Sequence, residues 1–194
     1  MVRWEPGAVE RLHSAALELY ATKGFEETTV AEIAQTAGLT ERTFFRHFAD
    51  KREVIFGGSE LFQEGFLDGI VAAPADAKSL ETVIAAVTGA AVFFPDDRRA
   101  SSRQRTRIIA ANPQLQEREL QKMSSLASAI AAALRERGIR EPAATLAAES
   151  GVTVFRMSFA QWIADGAERS LIDIERDLFA ELRLMTGSEA QPTT

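Results

Sequence analysis

Apolar residues recur at three- and four-residue intervals along nearly the whole chain, and no segment alternates with the two-residue period of a strand. Residues 8–23 place Val9, Leu12, Ala16, Leu19 and Tyr20 on one helical face, closed by Gly24 and the apolar Phe25. Thr29 and Glu32 have the spacing of a capping box, so a second helix is predicted from Val30, with Ile33 and Ala34 inward and Gly38 at its end. Thr40 then caps a third helix reaching about Arg46, on which Phe44 and Phe48 share a face. Asp50 and Glu53 open a fourth, predicted to run unbroken to just before Pro74 through Gly57 and Gly58. Two glycines inside a helix cost about 2 kcal/mol relative to alanine, tolerable for close packing or for bendability.

Further helices are predicted from Ser79 to the residues before Pro95, and from the capping Asp96 and Asp97 through the arginine-rich segment up to Asn112. Arg98, Arg99, Arg103, Arg105 and Arg107 read as a basic patch or a solvated face that pairs with neighbouring acids. Asn112–Pro113 starts a long helix ending at Gly138, and Pro142 opens another. Ser170 with Asp173 caps the last one, apolar at Leu171, Ile174, Leu178, Leu182 and Met185. The pattern predicts an all-α chain of about nine helices without internal repeats, and a disordered tail over residues 188–194.

Composition narrows the chemistry. Hydrophobic residues at 46% and charged ones at 26% are globular proportions, enough for a core in 194 residues. Cysteine is absent, and the two histidines, His13 and His47, belong to no cluster with metal-ligand spacing. No metal or other cofactor is expected. No nucleophile–base–orienter set is evident, so an enzyme is not expected either. No apolar run approaches a membrane span and the N-terminus has no signal-like segment, which predicts a soluble, cytoplasmic protein with no membrane partner. The net charge of -6 is unpromising for a nucleic-acid binder. Its distribution is more informative. Between Arg42 and Arg52 lie Arg42, Arg46, Lys51, Arg52 and His47 against one acid, Asp50.

That local charge falls on the third predicted helix, whose Glu41, Arg42, Phe45 and Arg46 point away from the Phe44/Phe48 face. A short helix showing arginines, threonines and an outward aromatic suits a recognition helix better than a solvated one. The runs T-T-V-x-x-I-A from Thr28, A-G-L-T from Ala37 and T-F-F-R-H-F-x-x-K from Thr43 resemble the N-terminal domain of the TetR (tetracycline-repressor-like) family of bacterial regulators. Beyond about residue 56 the resemblance is architectural only. It implies a helix-turn-helix DNA-binding domain over residues 1–50 and a ligand-binding and dimerisation bundle over 51–187. Carried onto this chain, it implies that Thr29 and Lys51 touch phosphates, that His47 contacts the backbone, and that Glu41, Arg42, Thr43 and Arg46 lie in the major groove of double-stranded DNA. Thr40, at the head of the helix, joins that set. The family usually has tyrosine at Phe45, so a phenol–phosphate bond is replaced here by packing on sugar or a thymine methyl.

The same resemblance implies a ligand pocket in the bundle and a homodimer formed by the last two helices. Phe62, Phe66, Phe93, Phe94, Met123, Phe155 and Phe159 are candidate lining. Arg103 or Arg107 nearby would suit a hydrophobic, anionic molecule such as an acyl chain. Trp162, Leu171, Ile174 and Leu178 are the candidate dimer contacts. The expected function is a repressor released from a pseudo-palindromic operator by a small, mainly hydrophobic effector. A DNA-binding activator is the alternative, and a small-molecule-binding all-α protein without a DNA role is a further one.

Overall fold

The computed structural model describes residues 7–187, so the expected tail over 188–194 lies outside the described residues. The described chain is all-helical: α1 (Ala8–Thr22), α2 (Val30–Thr36), α3 (Glu41–His47), α4 (Lys51–Val54), α5 (Ser59–Ala72), α6 (Ser79–Ala90), α7 (Arg99–Ala110), α8 (Pro113–Glu136), α9 (Ala143–Trp162) and α10 (Leu171–Gly187), with short 3-10 turns at Ala91–Phe93 and Asp96–Arg98. No single described helix is long and apolar enough to cross a membrane.

The tenth helix arises where one long helix was expected. The segment from Asp50 to Ala73 is not continuous: it breaks between α4 and α5 at the glycine pair. Gly58 has φ +84°, a left-handed conformation that interrupts a right-handed helix and that L side chains rarely adopt. Ile55 and Phe56, just before the break, are buried. The glycines therefore end one helix and start another rather than softening a single one.

Two compact units result, one built from the residues up to Glu60 together with Ser101–Gln121, the other from Leu61–Ala100 and the residues from Lys122 onward. The first unit buries Leu12, Ala16 and Tyr20 of α1, Ile33 of α2, Phe44 and Phe48 around α3, and Val54 to Phe56 after Asp50. Ile108, Ile109 and Leu115 of α7 and α8 join this same core. Sequence patterning had no means of assigning that later segment to the first core, because it is remote in the chain. Polar ties hold it there. Arg118 Nε meets Glu53 Oε1 at 2.5 Å, and Arg105 donates to the Ile55 carbonyl at 3.1 Å and to Glu119 at 3.0 Å.

The second unit packs α6 against α9, and α9 against α10, around Phe66, Val83, Val87, Ile130, Leu134, Phe155 and Trp162. Helices α5 and α6 approach closely through Gly69. A Cβ there would stand 2.4 Å from the Ala85 carbonyl oxygen.

The arginine-rich segment is not a free basic patch. Arg99 donates to the carbonyls of Ala167 and Arg169, and its Nη2 lies 2.5 Å from Asp96. Arg105 is engaged as above. Asp96, expected as a helix cap, instead accepts the indole N–H of Trp162 at 3.1 Å. That bond gives the fully buried tryptophan the polar partner it requires. The caps predicted at Asp50 and Ser170 are formed as expected, whereas the Asn112 side chain donates back to the Ile108 carbonyl at 2.6 Å. Ser170 Oγ accepts from the Asp173 N–H at 3.2 Å, and Asp50 accepts from the N–H groups of Arg52 and Glu53 at 2.8 and 3.3 Å.

Candidate functional site

Two short capped helices and the turn between them position the candidate reading surface. The Thr29 hydroxyl accepts the Glu32 N–H at 3.2 Å, while Glu32 accepts the Thr29 N–H at 2.9 Å, which completes the capping box and fixes where α2 begins. Glu32 also pairs with Lys23 at 2.5 Å. The hydrogen bonds from Lys23 and then Thr29 hold its carboxyl down to about 2. Gly38, at φ +65°, turns the chain from α2 to α3. Thr40 then caps α3, accepting from the Thr43 N–H at 3.2 Å. One face of α3 is anchored: Phe44 is 0% exposed and Phe48 8%.

The opposite face is presented to solvent. Glu41, Arg42, Phe45, Arg46 and His47 are exposed and Thr43 is partly so. Phe45, at 55% exposed, rests edge-on against Phe44 with ring centroids 5.5 Å apart. Arg42 and Arg46 make no ion pair among the described residues; Arg46 Nη2 lies 3.3 Å from His47 Nε2. This edge of seven-residue α3 therefore carries two uncompensated guanidinium groups, a hydroxyl and an exposed ring. Such a set suits base edges and phosphates in a DNA groove.

Lys51 is placed differently from the expectation. Its ammonium is turned back into its own unit, donating to the carbonyls of Phe25, Glu26 and Thr28 at 2.9, 3.0 and 3.2 Å and lying 4.5 Å from the centre of the Phe25 ring. All three N–H bonds are used. A phosphate contact would have to displace these carbonyls, so the direct role expected of Lys51 gives way to that of a strut across the α1–α2 connection. Tyr20, which sequence reading placed only in the core, completes the strut. Its phenol donates to the Lys51 carbonyl at 2.5 Å, and burial raises its ionisation well above the ordinary value. The available signal was the tyrosine itself, since a buried phenol must find an acceptor. Thr29 remains exposed, with its hydroxyl already donated to Glu32 at 2.9 Å.

In the second unit the candidate lining residues do meet. Phe62 stacks edge-on against Phe66 at 4.9 Å and Phe94 at 5.5 Å, and lies 5.1 Å from Phe155. Phe94 reaches Phe159 at 5.1 Å and Trp162 at 5.9 Å, so the aromatic rings are continuous. Phe93 joins through Phe62 at 6.4 Å, and Met123 packs on the same core. Arg103 and Arg107 fall in the other unit.

The candidate dimer contacts need correction. Trp162, Leu171 and Ile174 are 0–3% exposed within a single chain, so they fill the core of the unit and cannot meet a second subunit. Leu178 is half-buried against the same core. Apolar side chains that do face outward on α9 and α10 are Leu146, Met157, Ile172, Leu184 and Met185. Helical periodicity marked the stripe correctly as apolar but could not say which of two apolar faces looked inward.

Comparison with known proteins agrees with this geometry. Residues 12–56 match the family described as bacterial regulatory proteins, tetR family, and residues 77–186 match the MftR C-terminal domain. The chain is 39% identical over 74 residues to the HTH-type transcriptional regulator TcmR of Streptomyces glaucescens, covering 38% of this chain and 33% of that protein. It is 33% identical over 109 residues to MftR of Mycobacterium tuberculosis, a protein named for regulation of mycofactocin biosynthesis, covering 54% of this chain and 52% of that one. The chain thus spans about a third to a half of the length of these curated relatives. A tetR-family structure from Mesorhizobium loti superposes with a TM-score of 0.59 at 20% identity, covering 92% of this chain and 96% of that one. Thermus thermophilus FadR, solved in complex with lauroyl-CoA, gives a TM-score of 0.53 at 22% identity, covering 96% and 97%. These two likenesses are likenesses of fold.

Proposed function

We propose that this chain, which belongs to the tetR family of bacterial regulatory proteins, is a cytoplasmic transcriptional repressor. It acts as a homodimer, reads a pseudo-palindromic operator with α3, and leaves that operator when a small, mainly apolar effector occupies the second unit. The DNA-reading part lies in the first unit and the regulatory part in the second. The observation that carries the reading is the split character of α3: Phe44 and Phe48 lock one face while Arg42, Phe45 and Arg46 are exposed on the other and Thr43 is partly so.

In this reading, Arg42 pairs with a guanine edge, Thr43 and Phe45 meet backbone or thymine methyl, and Glu41 and Arg46 flank them in the groove. Thr29, Thr40 and His47 contact phosphate or sugar, and Lys51 positions the helices behind them. Leu146, Met157, Ile172 and Leu184 form the outer stripe on which the second subunit packs. Two heads so joined reach successive major grooves about 34–36 Å apart. An effector that fits one arrangement of the heads better than another shifts the dimer toward it and so changes operator affinity. The continuous aromatic cluster favours an apolar effector.

The test is selection of binding sites from random duplex DNA, followed by titration of the selected site with the parent and with Arg42→Ala. The variant should lose about 1–3 kcal/mol of discrimination at one base pair per half-site. Failure to enrich any sequence, or a variant with unchanged discrimination, would overturn the assignment. A reporter driven by the selected site separates repression from activation by the sign of its response.

A further inference from the structure

The core of the second unit contains an acid that the protein itself leaves unanswered. Glu175 is 1% exposed, and neither of its carboxyl oxygens has a hydrogen-bond partner among the described residues. It shares the inward face of α10 with Leu171 and Phe179, one turn to either side, and both are members of the apolar core. The hydroxyl of Ser158 on α9 is likewise buried and unpartnered.

Both groups are buried on helices that pack against each other. Helices α9 and α10 pack together and are joined by a short connection, which makes them an antiparallel pair. Ser158 lies four residues before Trp162, the last residue of α9, and Glu175 four residues after Leu171, the first of α10. Each is one helical turn from the connection, on facing helices. Phe155, Phe159 and Trp162 flank Ser158 on α9 and belong to the continuous aromatic cluster.

Nothing packed around Glu175 answers its charge. The charged residue of α6 is Glu81, those of α9 are Glu149 and Arg156, and the others of α10 are Asp173, Arg176, Asp177, Glu181 and Arg183; none of these is buried. Arg99, a cation near the connection, gives its Nη1 and Nη2 groups to the Ala167 and Arg169 carbonyls and to Asp96, while its Nε is buried without a partner among the described residues. Desolvation with no compensating partner pushes the Glu175 carboxyl up to about 8. A leucine at this position would fill the core without that penalty. The acid is therefore costly to the fold unless something outside the chain uses it.

We propose that Glu175 and Ser158 are the polar end of a binding site for an apolar amine, whose hydrocarbon part lies among Phe62, Phe94, Phe155 and Phe159. The proposal rests on the reading of this unit as the effector-binding one and assigns the chemical class of the effector. An ammonium supplies the countercharge that Glu175 lacks, and its remaining N–H bonds suit the Ser158 oxygen and the electron-rich ring faces. Ionising a carboxyl with a pKa of about 8 at neutral pH lowers affinity only about tenfold, which a direct ion pair in a dry site readily offsets. A carboxylate ligand would instead bring a second negative charge against the first.

The test uses the full chain and three probes that differ only at the head group: 4-phenylbutylamine, 4-phenylbutanol and 4-phenylbutyrate. Calorimetry at neutral pH should show the amine binding at least about tenfold more tightly than either of the others. Glu175→Gln, which keeps the shape and removes the buried charge, should bring the amine down to the level of the alcohol. Glu175→Leu should do the same, so a folding defect in one variant leaves the other to decide. Equal binding of the three probes, preference for the carboxylate, an amine preference that survives Glu175→Gln, or no amine binding at millimolar concentration would overturn the proposal. Retention on the selected duplex is measured alongside. Amine preference without duplex binding sinks the regulatory reading and leaves this site standing; duplex binding without amine preference does the reverse.

Discussion

Replacing Lys51 by alanine separates a strut from a phosphate ligand. The change removes three hydrogen bonds from a charged donor, at 2.9, 3.0 and 3.2 Å, and one cation–ring contact at 4.5 Å. It leaves the bond from Tyr20 intact, because that one reaches the Lys51 backbone. The Glu26 carbonyl is exposed and water replaces its donor at little cost. The Phe25 and Thr28 carbonyls are partly buried, and stranding them costs about 1 kcal/mol each or somewhat more. The lost cation–ring contact adds about 0.5–1 kcal/mol. The expected destabilisation is about 2–4 kcal/mol, which for a chain of this size lowers the melting temperature by roughly 5–15 °C. Differential scanning calorimetry measures it directly. A second assay asks the complementary question. A residue that touches phosphate takes about one unit of slope from the plot of log affinity against log salt, whereas a strut takes none. With operator affinity measured well below the melting temperature, Lys51→Ala should keep the parental salt slope. A variant that melts within about 2 °C of the parent and loses a unit of slope would show that the ammonium serves DNA and that the strut is dispensable.

Three further outcomes follow from the same geometry. Gly58→Ala places a Cβ on a residue at φ +84° and should destabilise the chain by about 1–2 kcal/mol in urea unfolding, whereas a continuous helix through this point would be stabilised by alanine. Glu32 has its folded carboxyl lowered from 4.5 to about 2, so its contribution is fully present above the unfolded value and is lost as pH falls from about 4.5 towards 2; acid titrations of the parent and Glu32→Gln should differ above that window and converge below it, and curves that stay parallel would refute the assignment. Two uncompensated arginines per head, Arg42 and Arg46, give four in a pair and predict a salt slope of about -4 for specific binding; a slope steeper than about -8 in a potassium chloride series would mean that many more cations reach the phosphates.

What could be read from the sequence was whatever local chemistry decides. Thr29–Glu32, Thr40 and Ser170 cap the helices they were expected to cap, because a cap is settled within four residues. The outward face of α3 was legible for the same reason: Phe44 and Phe48 at i, i+4 leave Arg42 and Phe45 nowhere to go but out. Errors gathered where the decision was long-range. Lys51 looked like a free cation at a helix start, yet the carbonyls that claim it lie 23 to 26 positions earlier. Asp96 looked like a cap, yet it serves Trp162, 66 positions later. The Gly57–Gly58 pair is plain in the sequence and so is its cost, but cost alone does not distinguish a bend from a break. Glu175 is inconspicuous in the sequence because Leu171, Ile174 and Leu178 around it so plainly mark an apolar face. An acid set into such a face is the irregularity that period-counting averages away.

The charge inventory of the reading head bears on how release could work. Of the four basic residues between Arg42 and Arg52, Lys51 is taken by carbonyls and Arg52 is paired to Asp50 at 2.5 Å. That stretch thus meets a polyanion with two arginines, on a protein whose net charge is -6. Non-specific attraction of a single head is accordingly weak. In the proposed dimer the second head binds at the effective concentration set by its tether to the first, and that term multiplies affinity only when both heads fit their half-sites together. A protein with a strongly basic head would stay on DNA by charge after losing its register. One with two free arginines per head has little to fall back on. A small change in the separation of the heads then forfeits most of the binding, so an effector needs only modest preference between arrangements to clear the operator.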